Sequence, residues 1–279
     1  MVVFFVMNMS LLAAFFYLLS CGTAIFCRDK WMFTFRCLFG IGLFANFLSA
    51  ASRYYFSWPL MPMYQRPFFL PLFIGILSLN TIWHRQAEWR LLVSAVCFLS
   101  LTAAFFPKDF YLPFLESRTI FSHFFFLPGI VGMACFIIAG IHAIIHIRLY
   151  RTKSDGQAQE LKKSENRVVS GNKSWISRWI VWGFAFWTIS MFSGEIWSYL
   201  GWGSPVVWDD AAILTAMGTW FYYACFLHLH LQKMWDSKRR AYAAVFGVVL
   251  TLVFNFYPDL GKFQLPDLDY LIQILRITL

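Results

Sequence analysis

The chain has 279 residues, 59% of them hydrophobic and only 13% charged. That balance excludes a water-soluble domain, which has no way to hide so much apolar surface, and fits a bundle of helices turned toward a lipid bilayer. The net charge of +9 is carried by Lys and Arg set between apolar runs, a pattern that fixes membrane topology rather than one that binds nucleic acid. The six cysteines form no Cys-x-x-Cys pair and lie in or beside apolar segments, so packing is their expected role and a zinc or thioredoxin-type site is not.

In chain order, Val2 to Phe26 is apolar with no Lys or Arg before it, which reads as a retained helix and not as a cleaved leader. A second span is expected over 31–51, followed by an aromatic, proline-bearing loop at 52–66. Further spans are expected at 67–84, 89–106, 120–147, 179–200, 211–231 and 241–257. Each has the length that a bilayer requires. The expected fold is thus all-α: a polytopic bundle of about eight transmembrane helices forming a single integral membrane domain over 1–279.

Charge sets the orientation. With the N-terminus outside, the inner side receives Arg28, Lys30, Arg36, Arg85 and Arg90, the eight basic residues between 148 and 178, and the four between 233 and 240, which is 17 of 23. The excess places both termini outside, together with an external loop at 201–210 and an external tail at 258–279. The stretch 150–178, rich in Lys, Ser, Gln and Gly, is expected as a flexible cytoplasmic linker. No internal repeat, phosphate-binding glycine loop or nucleophile elbow is present in the sequence.

Histidines inside a membrane mark candidate sites, because an imidazole at that depth is costly and is also an iron ligand. His123 stands near the outer start of the fifth span. His142 and His146 lie one turn apart on one face of the same helix, roughly 30 Å further along the axis. His228 falls near the inner end of the seventh span, level with them, and His230 cannot share its face. Two haem-sized sites are conceivable: an outer one pairing His123 with Trp202 and Trp208, and an inner one pairing His228 with His142 or His146. The blander readings are hydrogen bonds between helices for the histidines, and ordinary interfacial anchoring for the tryptophans. Asp209 and Asp210 precede the seventh span, where they suit a helix N-terminus. Glu195, near the outer end of the sixth span, is the one acid expected to be buried, with Arg53, Arg66 or Arg118 as its expected partner.

The segment Ser193-Gly194-Glu195-Ile196-Trp197, then Trp202-Gly203-Ser204 and Trp208-Asp209, resembles the tryptophan-rich signature of the CcsA/ResC family of cytochrome c biogenesis proteins. That signature is approximately S-G-x-x-W, then W-G-S-Y-W-x-W-D-P-K-E-T, with Y-L-H further on. Phe226-Leu227-His228 stands at the last of these after a one-residue insertion. Leu115-Glu116-Ser117 with His123 is similar to the family's L-Q-S and the histidine six residues later, and Pro59-Leu60 with Tyr64-Gln65 to its P-L-S-N-L-Y-E loop. Gly183-Phe184 opens the helix before the signature in the expected register.

The resemblance implies an eight-helix, haem-handling protein that works with a membrane partner subunit of a cytochrome c synthase. It implies that haem b is moved to the outer face and presented there to apocytochrome c for thioether attachment, in a bacterial cytoplasmic membrane with the tryptophan loop outside. By the same resemblance His123 is an external iron ligand, Trp202, Gly203, Trp208 and Asp209 belong to the haem platform, and His228 is a membrane iron ligand. The sequence also departs from the pattern. Val206 replaces the middle tryptophan, Asp210-Ala211-Ala212-Ile213 replaces P-K-E-T, and Gln65 replaces the loop glutamate. The family's second external histidine, in G-L-H-S-Y, has no counterpart, since no histidine follows His230. The alternative is therefore a non-catalytic relative acting as a membrane scaffold or as a regulator of haem metabolism.

Overall fold

A computed structural model describes residues 2–26, 31–57, 65–84, 88–107, 119–154, 162–206, 208, 211–231 and 235–263. Among them are nine α-helices and no strand. These are α1 (Val2–Phe26), α2 (Met32–Ser57), α3 (Arg66–Leu77), α4 (Leu79–Trp83), α5 (Trp89–Phe105), α6 (Ile120–Ser154), α7 (Lys162–Trp202), α8 (Ala211–Leu231) and α9 (Ser237–Thr251). A π-helical turn over Leu252–Phe256 and a 3-10 turn over Tyr257–Asp259 extend α9. Four helices are long and apolar enough to cross a membrane, within Met9–Phe26, Met32–Tyr55, Ile120–Leu149 and Ser237–Asp259. The fold is that of a polytopic helical membrane protein.

Two expectations about the elements change. The single span at 67–84 is two helices, because the buried Ser78 leaves helical geometry (φ −95°, ψ 4°) and α4 begins only after it. The supposed linker at 150–178 is helical on both sides: α6 runs on to Ser154 and α7 starts at Lys162, with 155–161 outside the described residues. Residues 162–178 contain no proline and one glycine, so nothing in them breaks a helix that the following apolar stretch already stabilises.

The chain divides into two compact units, one formed by 1–76, 93–113 and 258–279, the other by 77–92 and 114–257. In the first, α1 and α2 are antiparallel. Ser10 and Ser49 share a 2.6 Å hydroxyl hydrogen bond at one end, and Tyr17 packs on Phe39 at 5.5 Å further along. Arg53 of α2 donates to the Gln65 amide oxygen at 3.0 Å and lies 3.5 Å over the Phe68 ring. Arg66 pairs with Asp259 at 3.7 Å, and Phe263 stacks on Phe105. The two cations expected for Glu195 that fall among the described residues, Arg53 and Arg66, are thus engaged by Gln65 and Asp259. Arg118 lies outside them.

The second unit is built round α6, the most deeply buried span, of which 72% is covered. α7 runs antiparallel against it in close contact. A Cβ on Gly132 would meet the Gly183 carbonyl oxygen at 2.9 Å, so only hydrogen fits where the two backbones touch. Gly194 meets the Phe125 ring, and the Ser190 hydroxyl donates to the Phe125 carbonyl, which fixes the register of the pair. α8 lies alongside α7, tied by the indole N–H of Trp187 to the Ala216 carbonyl (3.2 Å) and by that of Trp220 to the Thr188 hydroxyl (3.0 Å). α8 also stacks Tyr223 flat on Phe136 of α6, ring centres 3.6 Å apart. α9 closes the unit through Tyr222, whose hydroxyl donates to the Ala243 carbonyl at 2.6 Å. Near its end, the Asn255 amide donates to Thr219 at 2.8 Å.

Candidate haem-handling site

The register of α6 and α7 gathers several predicted residues at one end of the second unit. Phe125, near the start of α6, packs on Trp197, near the end of α7, at 5.8 Å. His123 therefore sits at the same end as the loop that follows α7. It is half-buried. Two positions from Phe125 turn it roughly 200° round the helix, so it is off the stripe that meets α7. The loop is held by hydrogen bonds of its own chain. Gly203 takes φ +72°, a conformation that a side chain resists, and donates its N–H to the Tyr199 carbonyl at 2.8 Å. The Ser198 hydroxyl then reaches the Ser204 carbonyl (2.8 Å) and the Ser204 hydroxyl the Val206 carbonyl (2.9 Å). Serine at 198 and 204 thus fastens the turn that carries Trp208, which is 67% exposed. Asp209, Asp210 and the side chain of Trp202 lie outside the described residues.

The other end of the unit holds the remaining histidines, and the structure assigns them separate partners. His142 is buried, and its Nδ1 lies 3.2 Å from the Glu88 carboxylate in the connection between α4 and α5. Burial alone pushes the Glu88 carboxyl up, but the hydrogen bond and charge of His142 outweigh it and hold the carboxyl below its ordinary value. The His142 ring also stacks with Trp175 of α7 at 6.5 Å and 14°. His146, one turn on and equally buried, has its Nε2 3.0 Å from the Ser237 hydroxyl at the start of α9.

His228 is level with His142, as the Tyr223–Phe136 stack requires, since α6 and α8 run in the same direction. Its ring does not turn toward α6, however. Five residues separate it from Tyr223, roughly 140° round the helix, and the side chain is exposed. Its Nδ1 lies 2.8 Å from the Ala224 carbonyl one turn back. A carbonyl only accepts, so in the neutral ring Nδ1 carries the proton and Nε2 carries the lone pair. The expected pairing of His228 with His142 or His146 followed from depth alone, and rotation about the helix axes is what separates them. Glu88 and Ser237, which occupy those two histidines, had no motif to announce them. The side chain of His230 lies outside the described residues, and no cluster of three or more His, Cys, Asp or Glu suited to a metal ion occurs among the described ones.

Comparison with known proteins agrees with the residues that carry the resemblance. Residues 4–262 match the family described as cytochrome C assembly protein. Relatives include the cytochrome c biogenesis protein CcsA of Heterosigma akashiwo, 26% identical over 192 residues, which are 58% of this chain and 59% of that protein. The CcsA of Chlamydomonas reinhardtii is 30% identical over 165 residues (59% of this chain, 44% of that protein), and that of Welwitschia mirabilis 27% over 242 (75% and 78%). No solved structure matches the chain. With a family match running nearly end to end and low identity to each relative, the chain belongs to the cytochrome c assembly protein family as a divergent CcsA-type member.

Proposed function

We propose that the protein is a haem-handling subunit of cytochrome c assembly, taking haem b at the inner side of the membrane and presenting it outside to apocytochrome c. In this reading haem is cargo. A membrane partner subunit completes the synthase, and the tryptophan loop faces outward from a bacterial cytoplasmic membrane. The observation that carries it is the geometry of His228: the Ala224 carbonyl claims one ring nitrogen, and the other is left as a donor on an exposed helix face. An imidazole donor on an apolar, aromatic surface is the chemistry that an iron macrocycle needs. The exposed rings of Phe221 and Trp182 lie on the same two helices, α8 and α7. At the outer end, His123 and the exposed Trp208 on its fastened loop supply a second imidazole and a flat indole.

Thioether formation is largely chemistry of haem and thiol, so the chain's share is to bind, orient and release. No matched acid–base pair is required of it. The test is the absorption spectrum of the purified protein, oxidised and reduced. Wild type is expected to carry haem, with less haem in His228→Ala and an altered spectrum in His123→Ala. Protein that carries no haem even beside its partner defeats the proposal and favours the scaffold reading, for which the lack of any histidine after His230 speaks.

A further inference from the structure

The haem-handling reading of His228 leaves the two carboxylates of haem without a counter-charge, and a second exposed side chain stands at the right depth to supply one. Phe184 of α7 and Trp220 of α8 touch at 5.5 Å, and the helices are antiparallel. From that contact, position 178 is roughly 9 Å along α7 and position 228 roughly 12 Å along α8 in the same direction. Arg178 and His228 are therefore within about a turn of one another in depth, and both are exposed. Arg178 does not hang loose. Its guanidinium lies 5.3 Å over the Trp175 ring, Trp175 stacks on His142, and His142 is held by Glu88. A buried carboxylate–imidazole contact thus steadies an indole, and the indole steadies a cation on the surface.

We infer that Arg178 anchors the haem carboxylates while His228 takes the iron, an assignment that rests on the haem-handling reading of His228. The planar guanidinium matches a carboxylate through paired hydrogen bonds, which an ammonium does not. Trp175, Glu88 and His142 are positioning residues behind it and touch no cargo.

The test titrates the full chain in detergent with haem and with haem dimethyl ester, which lacks the carboxylate charges, following the Soret band. Wild type is expected to bind haem about tenfold more tightly than the ester, the size of a single charged hydrogen bond. Arg178→Leu is expected to bring haem down to the level of the ester and leave the ester unchanged. Arg178→Lys recovers part of the difference, and Trp175→Leu loses part. General damage to the fold weakens both ligands alike, so the ratio separates anchoring from misfolding. If Arg178→Leu keeps the wild-type preference for haem, Arg178 is an interfacial cation only and the inference fails alone. If His228→Ala leaves haem titration unchanged, the reading beneath it fails and takes this one with it.

Discussion

The two ends of the second unit are built on opposite principles. At the end of α7 the chain spends neutral hydrogen bonds from Ser198, Ser204 and Gly203 on shaping a loop whose indole stays in the open. At the far end it buries polar groups in pairs, setting Glu88 against His142 and Ser237 against His146 where three helices and a connection converge. The contrast teaches where rigidity resides. A buried carboxylate–imidazole pair is costly to break from one side because the group that remains is left dry and without its partner, whereas a solvent-facing turn forgives the loss of one bond.

The largest effect is expected from removing one member of the Glu88–His142 pair. Glu88→Ala should destabilise the protein by about 3 kcal/mol, the upper end for leaving a buried hydrogen-bonding group unsatisfied, read as a large fall in apparent Tm. A fall no greater than that of a loop variant would abolish the distinction. The same pair predicts a pH profile. The Glu88 carboxyl sits below its ordinary value of 4.5, so its stabilising contribution is intact above that value and is lost as pH drops through the lowered one. Acid unfolding of wild type and Glu88→Gln should accordingly converge below that range.

Gly132→Val comes next, because its side chain meets a backbone carbonyl that has no room to yield. Overpacking of this kind costs about 1–3 kcal/mol, visible as poor recovery of folded protein from detergent. Smaller effects belong to single hydrogen bonds. Ser237→Ala should cost about 1 kcal/mol by taking a partner from buried His146. Gly203→Ala strains a left-handed turn by about 1 kcal/mol, read as a small fall in apparent Tm.

Much of the fold was legible because its cause is local. Runs such as 2–26 and 120–147 are apolar over a bilayer's thickness, and α1 and α6 include them. The tryptophan signature named the family for a similar reason: its residues are adjacent in the chain. Depth was legible too, since rise per residue is constant, and His142 and His228 are indeed level. What a sequence does not carry is rotation in three dimensions. The approach of Glu88 to His142 depends on a short connection folding back over α6, and the outward turn of His228 on which face of α8 received Tyr223. The break at Ser78 and the helical start of α7 at Lys162 were missed because hydropathy averages across a one-residue break and underrates a polar helix that grows out of an apolar one.

α6 has one further property, which follows from its length. It is continuous from Ile120 to Ser154, well past the apolar stretch that ends at Leu149. A rod of that kind has no slack. Its one internal proline is Pro128, whose missing N–H leaves the Phe124 carbonyl without its helical donor. That joint lies just inside His123, so the first turns of α6, with the imidazole they carry, are set to bend against the rest of the helix rather than to move with it.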